Sequence, residues 1–230
     1  MKIKLTALLS IAIFLISCND SKAPSEKIKN VSAQIEENNP LLIIGSKNYL
    51  TGYEAAYDDG DINVVVEIPT GSVDKWEVDK ESGNMKWEIR NGSPRKVNYL
   101  GYPGNYGMIP QTLLPYDLGG DGDPLDVIVL GPSVERGKVI KAKLVGVLKL
   151  LDGKEQDDKL IAVMEGTPFY DIDTIEELKD QFNGTTTIIE TFFANYKGQG
   201  KMESLGLGDE REARKILDYA IEEYKNHSQL

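Results

Sequence analysis

Residues 121–130 have the sequence Asp-Gly-Asp-Pro-Leu-Asp-Val-Ile-Val-Leu. Three carboxylates fall within six residues, Pro124 stiffens the backbone between them, and the apolar run from Val127 predicts a buried strand. Carboxylates at this spacing repel one another unless a cation lies among them. The stretch therefore predicts a hard divalent metal beside a core strand. The alternative is an acidic surface turn, because Asp-Gly-Asp-Pro is also favourable turn sequence. The spacing does not fit an EF-hand, since Asp126 stands where that loop needs glycine.

Strand patterns separated by turn residues lie on both sides of this stretch. Seven short strands without intervening helices are typical of an antiparallel sheet or a small barrel. The predicted strands are Ile62 to Ile68, Val73 to Val78, Met85 to Arg90, Val97 to Tyr102, Leu125 to Leu130, Val139 to Leu150 and Leu160 to Met164.

Helical patterns are confined to the C-terminal third. Thr174 and Glu177 form a capping box for a short helix, and Thr187 to Lys197 predicts a second helix. A last helix begins after Asp209, with an apolar face over 213–224 that we expect to pack on the sheet. The predicted fold class is α+β, mainly β: a small closed antiparallel β-barrel (OB-like) with helices packed on it in the C-terminal third.

The first forty residues differ in composition from the rest. A positive start precedes an apolar run over 5–16, which is too short to span a membrane and predicts a signal peptide at residues 1–17. The following Leu-Ile-Ser-Cys resembles the lipobox of bacterial lipoproteins, with Cys18 as the site of lipid attachment. Residues 18–40 are polar and predict a flexible tether, and residues 41–230 a single domain. We therefore expect an exported protein, lipid-anchored to a bacterial membrane and facing the periplasm or the exterior. An uncleaved anchor and a secretory signal are the alternatives.

The net charge and the counts of histidine and cysteine argue against several classes of function. A formal net charge of -11 argues against nucleic acid as a partner. The one histidine, His227, leaves little for a histidine-rich zinc site or a Ser-His-Asp triad. With Cys18 as the single cysteine, the chain has no pair for an internal disulfide.

Two further sets of residues could carry chemistry beside the opening carboxylates. Each member also has a plainer interpretation as a solvated charge or as aromatic packing. Together the acids would form an oxygen-rich site of the kind Mg²⁺ prefers, and the second set would suit a phosphate substrate. The acidic set is Glu67, Asp152, Asp157 and Asp158. The basic or phenolic set is Lys75, Arg90, Tyr102, Tyr106, Lys159, Tyr196 and Lys197.

The sequence Asp-Gly-Asp-Pro-Leu-Asp-Val-Ile at 121–128 resembles the signature of the soluble family I inorganic pyrophosphatases. Other segments resemble the family in the same order, and the resemblance runs from about Ile62 to Lys197. These segments are Val65 to Pro69, Lys75 to Gly83, Tyr102 to Gly107, Val145 to Lys149 with Asp152, Asp157 to Leu160, and Phe192 to Lys197.

The resemblance implies metal-dependent hydrolysis of inorganic pyrophosphate to two phosphates by direct attack of a metal-activated water. It implies several Mg²⁺ ions per active site, with Mn²⁺ or Zn²⁺ as substitutes, and a homo-oligomer. The implied metal ligands are Asp121, Asp126, Asp152 and Asp157, with Glu67 completing their outer environment. The implied general base is Asp123. The implied phosphate-binding residues are Lys75, Arg90, Tyr106, Lys159, Tyr196 and Lys197, of which Lys75, Arg90 and Tyr106 are also counted as catalytic, and Glu77 and Tyr102 support the site.

Three points stay open at this level. Arg95 could take the place of Arg90, because the stretch from Arg90 to Tyr102 is longer than in the short bacterial members. Residues 41–61 precede the resemblance, and their tyrosines and glycines suggest an arm that wraps the domain. Two other functions compete: a lipid-anchored module that binds calcium and a partner without catalysis, and a hydrolase of other phosphate esters.

Overall fold

The computed structural model describes residues 34–35, 39–114 and 122–228. Cys18, the predicted signal peptide and Asp121 lie outside the described residues. Within the predicted tether, residues 34–35 form a short strand that pairs with residues 43–44.

Strands make up most of the described structure. They are β1 (Gln34–Ile35), β2 (Leu42–Ile44), β3 (Ile62–Ile68), β4 (Trp76–Val78), β5 (Met85–Trp87), β6 (Ile89–Arg90), β7 (Ser93–Pro94), β8 (Asn105–Met108), β9 (Asp126–Leu130), β10 (Val139–Asp152), β11 (Glu155–Gln156), β12 (Lys159–Met164) and β13 (Met202–Gly208). The helices are α1 (Ile175–Gln181), α2 (Thr185–Asn195) and α3 (Glu210–Ser228), with a 3₁₀ turn at Pro168–Asp171. None of these described helices is both long and apolar enough to cross a membrane.

The central sheet is partly closed into a ring, which confirms the predicted barrel. Its strands follow the order β11-β10-β12-β9-β8-β3, and β3 returns to pair with β10. The long strand β10 makes this closure, because it pairs with β3 at its start, with β12 in its middle and with β13 at its end. The pairs are antiparallel except for β9 with β12, which is parallel, with Val127 opposite Leu160. A parallel pair needs a crossover between its strands, and β10 supplies it.

The apolar run in β9 is continuous because both faces of the strand are buried. Ile128 and Leu130 pack in one core cluster with phenylalanines of α2. Val127 and Val129 face the other cluster, which contains the inner side of α3. The strand of the opening stretch therefore runs through the middle of the barrel, and Asp126 is placed at the start of this rigid strand.

The predicted helix starts are confirmed by their caps. Thr174 Oγ1 accepts a hydrogen bond from the Glu177 amide at 3.1 Å, and Asp209 Oδ1 accepts one from the Glu212 amide at 2.8 Å. A cap of this kind satisfies an amide that the first helical turn leaves unpaired. The second helix lies two residues earlier than predicted, at Thr185–Asn195.

The predicted strand Val97 to Tyr102 is wrong: these residues form a loop, and the strand lies at Asn105–Met108. Tyr102 is only 1% exposed because its ring packs among the aromatic rings of the core. The apolar pattern there comes from a buried loop, not from a pleated strand. Strand β13 was not predicted, because its glycines weaken the strand pattern.

Residues 39–61 form an arm that packs on the barrel. Strand β2 of this arm pairs with β5, and the resulting small sheet has the order β1-β2-β5-β4. Ile43 and Tyr49 of the arm are buried against Trp76 and Met85. The arm therefore shares a core with the strand and turn that follow Lys75.

Candidate active site

Three adjoining cavities form one cleft, because neighbouring cavities share wall residues. Asp123 and Asp126 line both the first, of about 260 Å³, and the second, of about 530 Å³. Asp152 and Lys197 line both the first and the third, of about 570 Å³. Twelve of the predicted site residues line this cleft: Glu67, Lys75, Glu77, Arg90, Tyr106, Asp123, Asp126, Asp152, Asp157, Lys159, Tyr196 and Lys197.

Strand register brings the central charges together. Val127 and Leu160 are opposite one another in the parallel pair of β9 and β12, so the residues before them, Asp126 and Lys159, lie side by side. Strand β10 runs antiparallel to β12, and its last residue, Asp152, therefore ends near the start of β12. Charged side chains at the ends of buried strands can reach a cleft while the strands themselves fill the core.

Lys159 is the buried cation of this cluster, with an exposed fraction of 2%. Its Nζ donates to Asp126 Oδ2 at 2.5 Å and to Asp157 Oδ1 at 2.7 Å. Burial by itself would lower the pKa of Lys159, but the two carboxylates outweigh burial and raise it. Burial likewise opposes ionisation of Asp126, yet the Lys159 ammonium holds the pKa of Asp126 below its usual value. Lys159 and Asp126 are therefore both charged at neutral pH.

Lys197 forms a second bridge between the same carboxylates. Its Nζ donates to Asp152 Oδ2 at 2.7 Å and to Asp157 Oδ2 at 3.3 Å. Asp157 thus contacts both lysines. Burial opposes the charge of Lys197, but Tyr196 and Asp152 raise its pKa, so that the ammonium persists in the cleft.

Glu67 faces the second cavity from β3, where a register shift between Val66 and Ile68 interrupts the pairing with β8. A bulge of this kind redirects a side chain out of the regular alternation. The Glu67 carboxylate accepts a hydrogen bond from the Val78 amide at 2.7 Å. Burial raises the pKa of Glu67 to about 7, although Lys75 acts in the opposite direction. Glu67 can therefore exchange a proton near neutral pH.

The three predicted tyrosines form an aromatic wall. Burial raises the pKa of Tyr102, Tyr106 and Tyr196, so their hydroxyl groups stay protonated and can donate hydrogen bonds. The Tyr106 hydroxyl helps to lower the pKa of Asp126, and the Lys75 ammonium lies 5.6 Å from the centre of the Tyr106 ring. Tyr102 supports Tyr106 from behind, with 5.1 Å between the ring centres.

The inorganic pyrophosphatase family model matches residues 64–225 of the chain. The chain belongs to the inorganic pyrophosphatase family. Members of this family are hydrolases that split pyrophosphate into two phosphates, and the family is metal-dependent. The enzyme from Corynebacterium glutamicum is 40% identical over 168 residues, which cover 71% of this chain and 98% of the relative. The enzyme from Helicobacter pylori is 35% identical over 182 residues, covering 75% and 96%.

Solved structures agree with the family assignment. The Helicobacter pylori pyrophosphatase matches with a TM-score of 0.63 and 34% identity, over 75% of this chain and 98% of that one. A truncated vacuolar soluble pyrophosphatase of Trypanosoma cruzi, solved in complex with PPi, has a TM-score of 0.77 over 96% of this chain and all of that one. Its 20% identity makes it evidence for the fold alone.

The donor chemistry of the site fits the divalent cations on which pyrophosphatases depend. Asp123, Asp126, Asp152 and Asp157 all face the first cavity with carboxylate oxygens, the ligands that Mg²⁺ prefers. Among the described residues, no three such side chains converge on one point. Lysine ammonium groups lie between them instead, which shows how strongly this anionic cluster requires positive charge.

Three details of the sequence interpretation become clearer within the pyrophosphatase site. Arg90 and Arg95 both line the third cavity, but the Arg95 guanidinium is 2.5 Å from Glu88, which favours Arg90 for substrate contact. Asp158 accepts a hydrogen bond from the Leu150 amide at 2.9 Å and so holds the turn around β11. Glu77 is half exposed, and its nearest cation is Lys75, at 3.9 Å.

Lys80 is a cleft residue that the sequence did not single out. It lies in the turn between β4 and β5 and forms an ion pair with the Asp123 carboxylate. Nothing in the local pattern distinguishes Lys80 from a solvated turn lysine. Only the return of residues 122–125 to this turn reveals its position.

Proposed function

We propose that this pyrophosphatase hydrolyses inorganic pyrophosphate to two phosphates by direct in-line attack of water, with Mg²⁺ as its metal. One observation carries the proposal: an acidic set and a cationic set face the same cleft. Asp126, Asp152 and Asp157 are interleaved there with Lys159 and Lys197. A highly charged phosphate substrate together with divalent cations needs both sets at once.

Divalent cations would be held by Asp121, Asp126, Asp152 and Asp157, with Glu67 behind them. When bound, they supply positive charge to the phosphate oxygens and lower the pKa of the attacking water. Asp121 belongs to this set through the family resemblance.

Asp123 is the proposed proton acceptor for the attacking water. It lies at the junction of the first and second cavities, so it can reach a water beside a substrate in either. A carboxylate in this place orients the water and takes up its proton as the oxygen attacks phosphorus. No covalent phosphoryl-enzyme is required.

The cationic and phenolic side chains bind the substrate. Lys75, Lys159 and Lys197 neutralise phosphoryl oxygens, and Arg90 approaches from the third cavity. Tyr106 and Tyr196 keep their protons and donate hydrogen bonds. Phosphoryl transfer depends mainly on such positioning and charge stabilisation, because the transition state spreads charge over the phosphate oxygens.

Phosphate release tests this proposal directly. The full chain is assayed with pyrophosphate, ATP and a phosphomonoester, each with Mg²⁺ and with a chelator. We expect rapid release from pyrophosphate that needs Mg²⁺, and little from the other two. Equal rates on all three substrates would instead support a general phosphate hydrolase. Calcium binding without any turnover would support a binding module.

We also propose, from the sequence of the first forty residues, that Cys18 carries a lipid that anchors the enzyme to a bacterial membrane. Incorporation of a labelled fatty acid by the full chain, and its loss in Cys18→Ala, would support the anchor. Equal labelling of the two proteins would exclude it. Exposed apolar side chains in a loop, in α2 and in β13 support the proposal of a homo-oligomer; they are Leu100, Ile188 and Leu205. Light scattering of the detergent-solubilised chain tests that assembly.

A further inference from the structure

The segment Asn48–Thr51 of the arm contacts both walls of the second cavity. We call this segment the clamp. It lies before residue 64, where the match to the family begins. The clamp itself does not line the cleft, so any effect on the reaction must pass through the walls that it holds.

The first wall is the turn that joins β4 to β5. The clamp residue Asn48 donates from Nδ2 to the Ser82 carbonyl at 3.1 Å, and the Tyr49 amide donates to the Gly83 carbonyl at 3.0 Å. Gly83 has a φ of +67°, and a Cβ atom there would meet the Asn48 side chain at 2.1 Å. Only glycine permits this approach.

The turn is also bonded internally. Asp79 Oδ2 accepts hydrogen bonds from the Ser82 amide at 2.9 Å and from the Ser82 hydroxyl at 2.5 Å. Asp79 Oδ1 lies 2.9 Å from the Lys86 ammonium. A displacement of Ser82 would therefore carry the whole turn with it, including Lys80.

The second wall begins in β8, where Tyr106 and Met108 line the second cavity, and continues along the chain to Leu114. The Gln111 amide donates to the Leu50 carbonyl at 2.9 Å, and Gln111 Nε2 donates to the Thr51 carbonyl at 3.0 Å. Three residues later, the Leu114 amide donates to the Asp123 carbonyl at 2.7 Å. The clamp is thus two hydrogen-bonded steps from the backbone of the proposed base.

The two walls meet across the cavity where the Lys80 ammonium pairs with the Asp123 carboxylate. Both side chains are about half exposed, so this pair alone would be weakly fixed. Its geometry depends on how firmly the two backbones are held. The clamp bonds directly to the turn that carries Lys80, and it reaches the Asp123 backbone through Gln111 and Leu114.

We propose that the clamp positions Lys80 against Asp123, so that Lys80 and Asn48 are positioning residues of the hydrolysis reaction. The inference rests on the proposed function. Lys80 fixes the orientation of the Asp123 carboxylate toward the substrate, and Asn48 fixes the turn that carries Lys80. A base held in place before the reaction removes the need to reorient it during attack.

Asn48→Asp is the sharpest variant because it changes one contact. The retained Oδ1 can still accept from the Leu50 and Thr51 amides, which it does at 2.9 and 3.1 Å, but the donor to Ser82 is lost. Asn39→Asp is the matched control. It makes the same chemical change elsewhere in the arm, where Asn39 Oδ1 accepts from the Leu41 amide at 3.1 Å.

The test is steady-state kinetics with Mg²⁺ and pyrophosphate, which measure kcat and KM. The measurements are made at a temperature where every variant is folded. We expect Lys80→Gln to lower kcat about tenfold and Asn48→Asp about threefold to tenfold, with KM nearly unchanged. KM is spared because the clamp contacts none of the phosphate-binding side chains. Lys80→Arg keeps the charge and should recover most of the rate. Asn39→Asp should match the wild type.

The double variant Asn48→Asp/Lys80→Gln decides whether the arm acts through Lys80. We expect its kcat to equal that of Lys80→Gln alone, because the turn then has no ammonium to position. The inference would be overturned if the two single-variant losses of kcat multiplied in the double variant, or if Asn48→Asp alone had the wild-type kcat. If Asn48→Asp does not fold, Gln111→Ala tests the second wall by the same criterion. An inactive wild type would instead refute the proposed function itself.

Discussion

Lys159 donates a hydrogen bond to Asp126 at 2.5 Å from a side chain that is almost completely buried. The two residues begin neighbouring parallel strands, so their separation is fixed by the sheet and not by flexible loops. A buried ammonium beside a carboxylate keeps the carboxylate ionised. Asp126 is therefore maintained in the state that binds both cations and hydrogen-bond donors.

We predict that Asp126→Asn lowers kcat at least about a hundredfold while the protein stays folded. The amide keeps the size of the side chain but removes the negative charge that a divalent cation needs. Phosphate release and circular dichroism measure the two properties. Asp158→Asn is the control, since Asp158 serves the Leu150 amide, and an amide oxygen can replace it there. Wild-type turnover in Asp126→Asn would remove Asp126 from the metal site.

Lys197→Ala should lower kcat/KM, which corresponds to an activation free energy higher by about 2 kcal/mol. The reason is that the variant loses charge-assisted hydrogen bonds to phosphoryl oxygens at a partly buried position. The ammonium also neutralises part of the charge of Asp152 and Asp157, so the variant should bind cations more tightly and require less Mg²⁺ for half-maximal rate. Lys179→Ala is the matched control, because Lys179 pairs with Glu176 on the exposed side of α1. If Lys197→Ala retains its rate and its substrate affinity, Lys197 does not bind the substrate.

The raised pKa of Glu67 predicts that the free energy of unfolding of the metal-free protein depends on pH. Its folded pKa of about 7 lies above the ordinary glutamate pKa of 4.5, so the folded state binds the proton more tightly than the unfolded state. The stability due to protonated Glu67 is complete below about pH 4.5 and is lost as pH rises toward 7. At pH 8 the loss amounts to about 3 kcal/mol.

Glu67→Gln keeps the oxygen that accepts from Val78 and cannot ionise. In a chelator, urea unfolding at pH 8 should therefore show the variant to be more stable than the wild type. At pH 4.5 the two proteins should be nearly equal. The interpretation of Glu67 would be refuted by a difference that stays constant between these pH values.

The sequence pattern predicted the secondary-structure elements better than it predicted which strands pair and in which direction. The apolar run of β9 and the caps at Thr174 and Asp209 are local features, and local chemistry decides them. The contact of Asp126 with Lys159 depends on a parallel pair of strands, whereas the pattern suggested antiparallel ones. In an antiparallel pair the first residues of the two strands lie at opposite ends. The family resemblance, and not the pattern, placed these two residues in one site.

The clamp could not be predicted for a related reason. Asn48 and Ser82 are far apart in the sequence, and each is ordinary turn material by itself. Their contact exists because the arm adds β2 to the edge of β5 and so brings Asn48 over the turn. Lys80 gains a role only through this tertiary arrangement.

Gly107→Ala should destabilise the protein by about 3 kcal/mol, because β8 approaches β3 too closely for a side chain. A Cβ atom on Gly107 would lie 1.9 Å from the Val65 carbonyl oxygen, so the two strands would have to separate. Tyr106 would move with β8, and activity should fall as well. Gly153→Ala is the control: with a φ of +66° and open space around it, it should cost only about 1 kcal/mol. Urea unfolding measures both variants, and equal losses would show that strand separation at Gly107 is not limiting.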